Sequence, residues 1–221
     1  MKNKNQKNDL LNTAVKWRLI GLLFECPGDG WTDEITALSA ESGDATLMLA
    51  AENARIEASE GLYHSIFGPG GPAPPREVTY RSWVQPGFLL AELSAFYKAF
   101  AYDPKTPDVP DHIAVEAGFV AYLKLKEAFA LEGGDNEHAE ITAAAAEKFV
   151  AEHIAKFAER LSELLQNSRV EYLVLAGKAL FEAAGKDPDA GRKVLPVLAE
   201  IDEESFTCGT GEMPQGSFAE M

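Results

Sequence analysis

The stretch Pro110–Phe129, PDHIAVEAGFVAYLKLKEAF, decides the fold of this chain of 221 residues. A proline opens it, apolar side chains follow at helical spacing, and no second proline interrupts the run before Gly133 and Gly134. Such a pattern predicts a long helix that begins near residues 108–111 and ends at the glycine pair. The middle of the sequence is therefore predicted to be helical.

Apolar residues recur at three- and four-residue intervals on both sides of this stretch as well. The other expected helices cover residues 9–24, 32–39, 44–56, 60–68, 87–101, a segment capped by Asp135 or Asn136 that reaches Leu164, a segment capped by Asn167 or Ser168 that ends at Gly185, and 188–200. No alternating strand pattern appears. We predict an all-α, single-domain helical bundle over residues 1–200, with residues 201–221 as a flexible tail.

Composition excludes several classes of function. The formal net charge of −15 argues against binding to nucleic acid, which requires a basic surface, and favours cationic partners. No run of 18 uncharged apolar residues exists, so no membrane span is expected. Cys26 and Cys208 lie far apart and lack partners at zinc-site spacing, which predicts neither a disulfide nor a structural metal. A cytoplasmic location is expected.

Asp111, His112 and Glu116 crowd three titratable groups into six residues. His112 and Glu116 share a helix face, but a metal ion needs a third and a fourth ligand, and no companion motif supplies them. No nucleophile motif or phosphate loop accompanies the group, so we predict no catalytic residue, metal or cofactor. An alternative is that Asp108 or Asp111 caps the helix while His112 and Glu116 pair on its surface.

The segment Gly68–Tyr80, GPGGPAPPREVTY, cannot form the interior of a helix, because its prolines remove amide donors and fix an extended path. Trp83 follows it in a predicted loop. His64 and His153 occur within apolar helical runs, and we expect them to pack or to form hydrogen bonds between helices.

Three segments together carry a resemblance to a known family. LYHSIFGPGGPAPPREVTY (residues 62–80) resembles the Y-x-x-L-F-x-G-P-G…P-A-P-P-x-x-S-x-Y segment of the TorD/DmsD/NarJ family. DVPDHIAVEAGF (108–119) resembles its E-x-P-D-H-I-x-x-E-L-x-F-M segment, and FVAEHIAKFAERL (149–161) is similar to its F-x-x-x-H-L-x-x-W segment. Val78, Ala117 and Phe157 depart from the family pattern.

The resemblance implies an all-helical cytoplasmic chaperone for a molybdenum- or tungsten-cofactor oxidoreductase. Such chaperones bind the catalytic subunit, many of them through its twin-arginine signal peptide, and delay export until the cofactor is inserted. The family's ligand surface is lined by the Pro-rich loop and the P-D-H segment. Carried over to this sequence, the expected client-peptide-binding residues are Arg76, Glu77, Tyr80, Trp83, Asp111, His112 and Glu116.

Residue chemistry agrees with that expectation. Carboxylates such as Asp111 can receive a guanidinium in bidentate fashion, and Tyr80 and Trp83 can supply an aromatic wall. Three alternatives stay open: a chaperone for an untargeted cytoplasmic subunit, a nucleotide-binding or hydrolysing enzyme, and a structural subunit retained in the mature oxidoreductase. The chain is expected to be a monomer or a homodimer.

Overall fold

A computed structural model describes residues 2–82, 84–104 and 106–190, with side chains from residue 5 onward. Over these ranges the chain forms nine α-helices and two short 3-10 helices, with no β-strand, which confirms the all-α prediction. The α-helices are α1 (Lys2–Leu23), α2 (Trp31–Ser42), α3 (Ala45–Glu57), α4 (Glu60–Phe67), α5 (Pro86–Ala99), α6 (Ile113–Glu132), α7 (Asn136–Glu152), α8 (Ala158–Ser168) and α9 (Glu171–Ala184), and the 3-10 helices are Glu77–Tyr80 and Ile154–Lys156. The predicted tail and most of the helix predicted over 188–200 lie outside the described residues.

Helix α6 lies at the centre of the bundle. Its residues Ile113–Ala121 are buried, nine in a row, so neighbouring segments cover every side of its first half. A helix that is apolar all round is stable in a globular protein only when it is surrounded in this way. Helices α1 and α7 both pack along α6, and α9 packs against α3 and α8. The quoted stretch thus forms the axis of the fold.

A glycine allows α1 to lie close to α6. A Cβ atom on Gly21 would lie 3.0 Å from the carbonyl oxygen of Ala114 and 3.4 Å from the Cβ of Ala117. The nearest of these atoms belongs to the backbone of α6, which cannot turn away as a side chain can. The spacing of the two central helices therefore depends on the missing side chain at Gly21.

The structure tests the caps that were predicted for α7 and α9. Helix α7 has the predicted cap, since the Asp135 carboxylate accepts a hydrogen bond from the amide of His138 at 3.1 Å. The cap predicted for α9 at Asn167 or Ser168 is wrong. Helix α8 continues to Ser168 and ends at Arg169, whose φ of 59° is left-handed, and α9 starts only at Glu171.

The single helix predicted to reach Leu164 is also wrong, because the chain breaks at His153. Residues 153–155, 157 and 158 are all buried at the point where the chain changes direction between α7 and α8. His153 has φ −118° and ψ −77°, and the short 3-10 helix after it redirects the chain into α8. No proline or glycine marks this break in the sequence.

Replacement of Gly21 tests the close approach of α1 and α6. Gly21→Val should lower the free energy of unfolding by about 1–3 kcal/mol, because the added carbons meet the backbone of α6. The matched control is Gly61→Val in α4, where a new Cβ meets nothing within 4 Å. Urea denaturation of both variants measures the difference, and equal stabilities would contradict the packing described.

Candidate functional site

The three segments that carry the resemblance meet at the start of α6. The amide of Glu77 donates to the carbonyl of Asp111 at 2.9 Å, and the amide of Ile113 donates to the carbonyl of Pro75 at 2.9 Å. Arg76 and His112 therefore face each other as an isolated antiparallel bridge. We call the polar residues gathered here the motif cluster: Tyr63, Arg76, Glu77, Arg81, Asp111, His112, Glu116 and His153.

Asp111 and Arg76 form the ion pair of this cluster. The Asp111 carboxylate is fully buried and accepts from the Nε of Arg76 at 3.0 and 3.2 Å and from a terminal guanidinium nitrogen at 2.9 Å. The amide of Val78 also donates to it, at 3.4 Å. The Arg76 side chain remains 39% exposed. Asp111 thus already holds a guanidinium in the unbound chain, and that guanidinium lies at the surface.

His112 caps α6 and joins it to α4. Its Nδ1 accepts from the amide of Ala114 at 3.1 Å, so Nε2 carries the proton and donates to the hydroxyl of Tyr63 at 3.2 Å. Burial lowers the pKa of His112, and the neutral ring suits both contacts. The alternative in which Asp108 or Asp111 caps the helix and His112 pairs with Glu116 on the surface is wrong, because His112 is the cap and is buried.

Glu77 connects the Pro-rich segment to the end of α7. One of its oxygens pairs with a terminal nitrogen of Arg81 at 2.5 Å and the other contacts Nδ1 of His153 at 3.0 Å. Arg81 also donates to the carbonyl of Glu152 at 2.9 Å. Glu77 and His153 are both buried, so the expected interhelical role of His153 is confirmed. The same expectation is wrong for His64, whose side chain is exposed and lies 3.7 Å from Glu60 of its own helix.

Tyr80 lies at the outer edge of the cluster. Its ring stacks on Phe157 with centroids 5.5 Å apart and an angle of 22° between the planes. Its hydroxyl donates to the carbonyl of Pro74 at 2.7 Å, and burial raises its pKa. Tyr80 as a whole is half-buried. Trp83, which was predicted to stand beside it, lies outside the described residues.

Glu116 is the one carboxyl group of the cluster without a hydrogen bond. It is fully buried, and neither side-chain oxygen has a partner. Burial, together with the negative charges of Glu77 and Asp111, holds the pKa of Glu116 well above its ordinary value, although Arg81 opposes the shift. The protonated form of Glu116 is therefore favoured, and no hydrogen bond joins Glu116 to His112.

Of the seven predicted binding residues, four are almost wholly inaccessible: Glu77, Asp111, His112 and Glu116. Arg76 and Tyr80 reach the surface. The motif pattern did not assign Tyr63 and Arg81 to the site. Tyr63 lies within the segment 62–80, and Arg81 follows it directly. Over the described part of the chain, no group of three or more His, Cys, Asp or Glu residues is placed to hold a metal ion. No described helix is long and apolar enough to span a bilayer.

We compared the sequence with models of known protein families, and one of them matches the part of the chain that forms the motif cluster. The family model described as nitrate reductase delta subunit covers residues 34–163 and includes all three motif segments. The chain belongs to this family, which is the NarJ/TorD type of molybdoenzyme chaperone. Its members assist the maturation of nitrate-reductase-like catalytic subunits and are not catalytic enzymes. No curated protein matches the chain.

The two partners of the ion pair should differ in their effect on stability. Arg76→Ala leaves a fully buried carboxylate unpaired and should cost about 3 kcal/mol. Asp111→Ala leaves a guanidinium that water already reaches, and should cost only about 1.5 kcal/mol. Denaturation of the two single variants and the double variant tests this order, and a larger cost for Asp111→Ala would contradict it.

Glu116→Gln should stabilise the protein more as pH rises. The folded-state pKa of Glu116 is raised, so its stability contribution is fully present below its unfolded pKa and falls as pH rises towards the folded value. For each pH unit in that window, the free energy of unfolding of the wild type falls by about 1.4 kcal/mol, whereas that of Glu116→Gln does not. Melting temperatures of both proteins at pH 4.5, the ordinary pKa of a glutamate, and at successively higher pH values measure the effect. A constant difference across that range would contradict it.

Proposed function

We propose that this chain is a cytoplasmic, system-specific chaperone for one molybdenum- or tungsten-cofactor oxidoreductase. It binds the catalytic subunit, first through the twin-arginine leader, and holds it back from export until the cofactor is inserted. The observation that carries the proposal is the occupied guanidinium site at Asp111. A buried carboxylate held by a half-exposed arginine of the same chain has the chemistry needed to receive an arginine from another chain.

Binding then takes place by exchange. Arg76 occupies the Asp111 carboxylate in the unbound chain, and an arginine of the leader displaces it towards solvent. Because one bidentate pair replaces another, the buried charge is never left without a partner. Glu77 and His112 hold the segments around the site through their hydrogen bonds, and we assign Tyr80 and Trp83 to its apolar wall. The net charge of −15 favours encounter with the basic end of the leader.

The exchange leaves a reversible complex. The new arginine pair gains little over the old one, so most of the affinity comes from apolar side chains of the leader. Two or three buried leucines contribute about 1.5–3 kcal/mol each before ordering costs, which is compatible with a dissociation constant of about 1 μM. A complex of this strength releases its client when maturation is complete.

Two variants separate exchange from mere support of the fold. Both lower stability, but Asp111→Asn should weaken leader binding about ten- to a hundredfold, whereas Arg76→Ala should tighten it about tenfold by removing the competing guanidinium. Calorimetric titration with a synthetic leader of the cognate catalytic subunit, well below the melting temperature, measures both. The matched control is Arg55→Ala on the exposed surface of α3.

The possible contrary results are distinct. Equal loss of affinity in Arg76→Ala and Asp111→Asn would make the motif cluster a structural support only. Binding of the whole catalytic subunit without binding of the leader would favour the chaperone of an untargeted subunit. If the wild type bound neither, the proposed function would be wrong. A leader with lysines in place of its arginines should bind more weakly, because lysine cannot form the bidentate pair.

A further inference from the structure

Helix α3 has two apolar faces, and only one of them is buried. The buried face consists of Leu47, Ala50, Ala51 and Ala54. The other face carries Met48 and Leu49, each 47% exposed, and Ile56, which is 80% exposed. Large apolar side chains that lie together on a surface mark an interaction site. The sequence analysis assigned no role to this face.

Helical spacing places the exposed residues of α3 side by side. Counted from Ala45, they follow at i+3, i+4, i+7 and i+11 and are Met48, Leu49, Glu52 and Ile56. Residues at these intervals share one face of a helix. Ala45 has a small side chain, so a second helix can approach this end of the face closely. The face therefore extends along nearly the whole of α3.

An open groove lies beside this face, between α2 and α3. Its volume is about 470 Å³. Its lining joins Thr36 and Ser39 of α2 to Met48, Ala51, Glu52 and Arg55 of α3. None of the lining residues belongs to the motif cluster. The groove offers space for a side chain of a second molecule that lies along α3.

The charges of this surface are balanced and unpaired. Glu52 and Arg55 are both exposed, and neither forms an ion pair with another described residue. No other charged residue belongs to the described lining of the groove, although the whole chain has a formal net charge of −15. A surface with one anion and one cation is complementary to a copy of itself, because a two-fold axis brings opposite charges together.

We propose that the exposed face of α3 binds a second copy of this chain, with the two α3 helices antiparallel about a two-fold axis near Glu52. Met48 precedes Glu52 by four residues and Ile56 follows it by four, so Met48 of each copy faces Ile56 of the other. Arg55 lies three residues from the axis, about 4.5 Å along the helix, within reach of Glu52 of the other copy. The pair buries apolar side chains of both copies and forms two ion pairs. Such a dimer is independent of the proposed function.

The size of the surface sets the strength of the dimer. Each copy contributes three large apolar side chains, so the interface belongs with transient ones that bury less than about 1,200 Å². The net charge of −15 on each copy opposes association. At an ionic strength of about 0.15 M, however, charges more than about 8 Å apart are largely screened. We therefore expect a dissociation constant between about 1 μM and 1 mM.

Charge reversal tests the pairing. Glu52→Arg and Arg55→Glu should each weaken dimerisation about tenfold or more, because each places like charges opposite one another. An equimolar mixture of the two variants should form a heterodimer at least as tight as the wild-type dimer, since every facing pair then has opposite charges. The matched control is Glu140→Arg on the exposed surface of α7, which should leave dimerisation unchanged. Sedimentation velocity of the full chains at several concentrations measures all of these.

The contrary results are distinct. A wild-type chain that stays monomeric at about 1 mM would leave this face to a different partner and overturn the inference. Dimerisation that neither reversal weakens would place the contact elsewhere and overturn it as well. If both reversals weakened dimerisation and the mixture did not restore it, the antiparallel pairing would be wrong.

A crosslinking measurement covers the case in which the charge variants do not fold. A photoreactive phenylalanine analogue replaces Ile56, whose 80% exposure keeps the change out of the core. We expect crosslinks to α3 of the other copy, near Met48. Crosslinks between copies that are confined to other helices would overturn the inference.

Discussion

A carboxylate that is inaccessible to water needs a cation within the fold, and Arg76 supplies that cation for Asp111. This pairing needs the Pro-rich segment to lie against the start of α6, and two backbone hydrogen bonds fix it there. The same contact places His112 at the start of α6, where its Nδ1 accepts a hydrogen bond from the amide of Ala114. The start of the central helix and the Pro-rich segment are thus held together at this ion pair.

Polar groups are concentrated in this part of the core at a cost to stability. Asp111, Glu77 and Glu116 are all fully buried, and burial together with the two neighbouring anions raises the pKa of Glu116. Apolar residues of similar volume would stabilise a helical bundle at least as well. Under the proposed exchange the cluster has a use that an apolar core lacks, because its buried carboxylate can receive a guanidinium group.

Local signals in the sequence predicted much of the fold. The cap at Asp135 and the end of α6 near Gly133 follow from residues that act within one helical turn. The break at His153 and the cap at His112 do not, because each depends on partners far along the chain: Glu77 for His153 and Tyr63 for His112. The motif residues were recognised by type and order, but their burial results from tertiary packing.

The contact between Glu77 and His153 also bears on how the chain is made. It joins residues 76 positions apart, and a contact of such high sequence separation forms late, since a long loop must first be closed. During translation, the Glu77 carboxylate cannot contact His153 until well over half of the chain has left the ribosome. A truncated or still-emerging chain therefore cannot complete the motif cluster, which closes only after the segment that contains His153 has been synthesised.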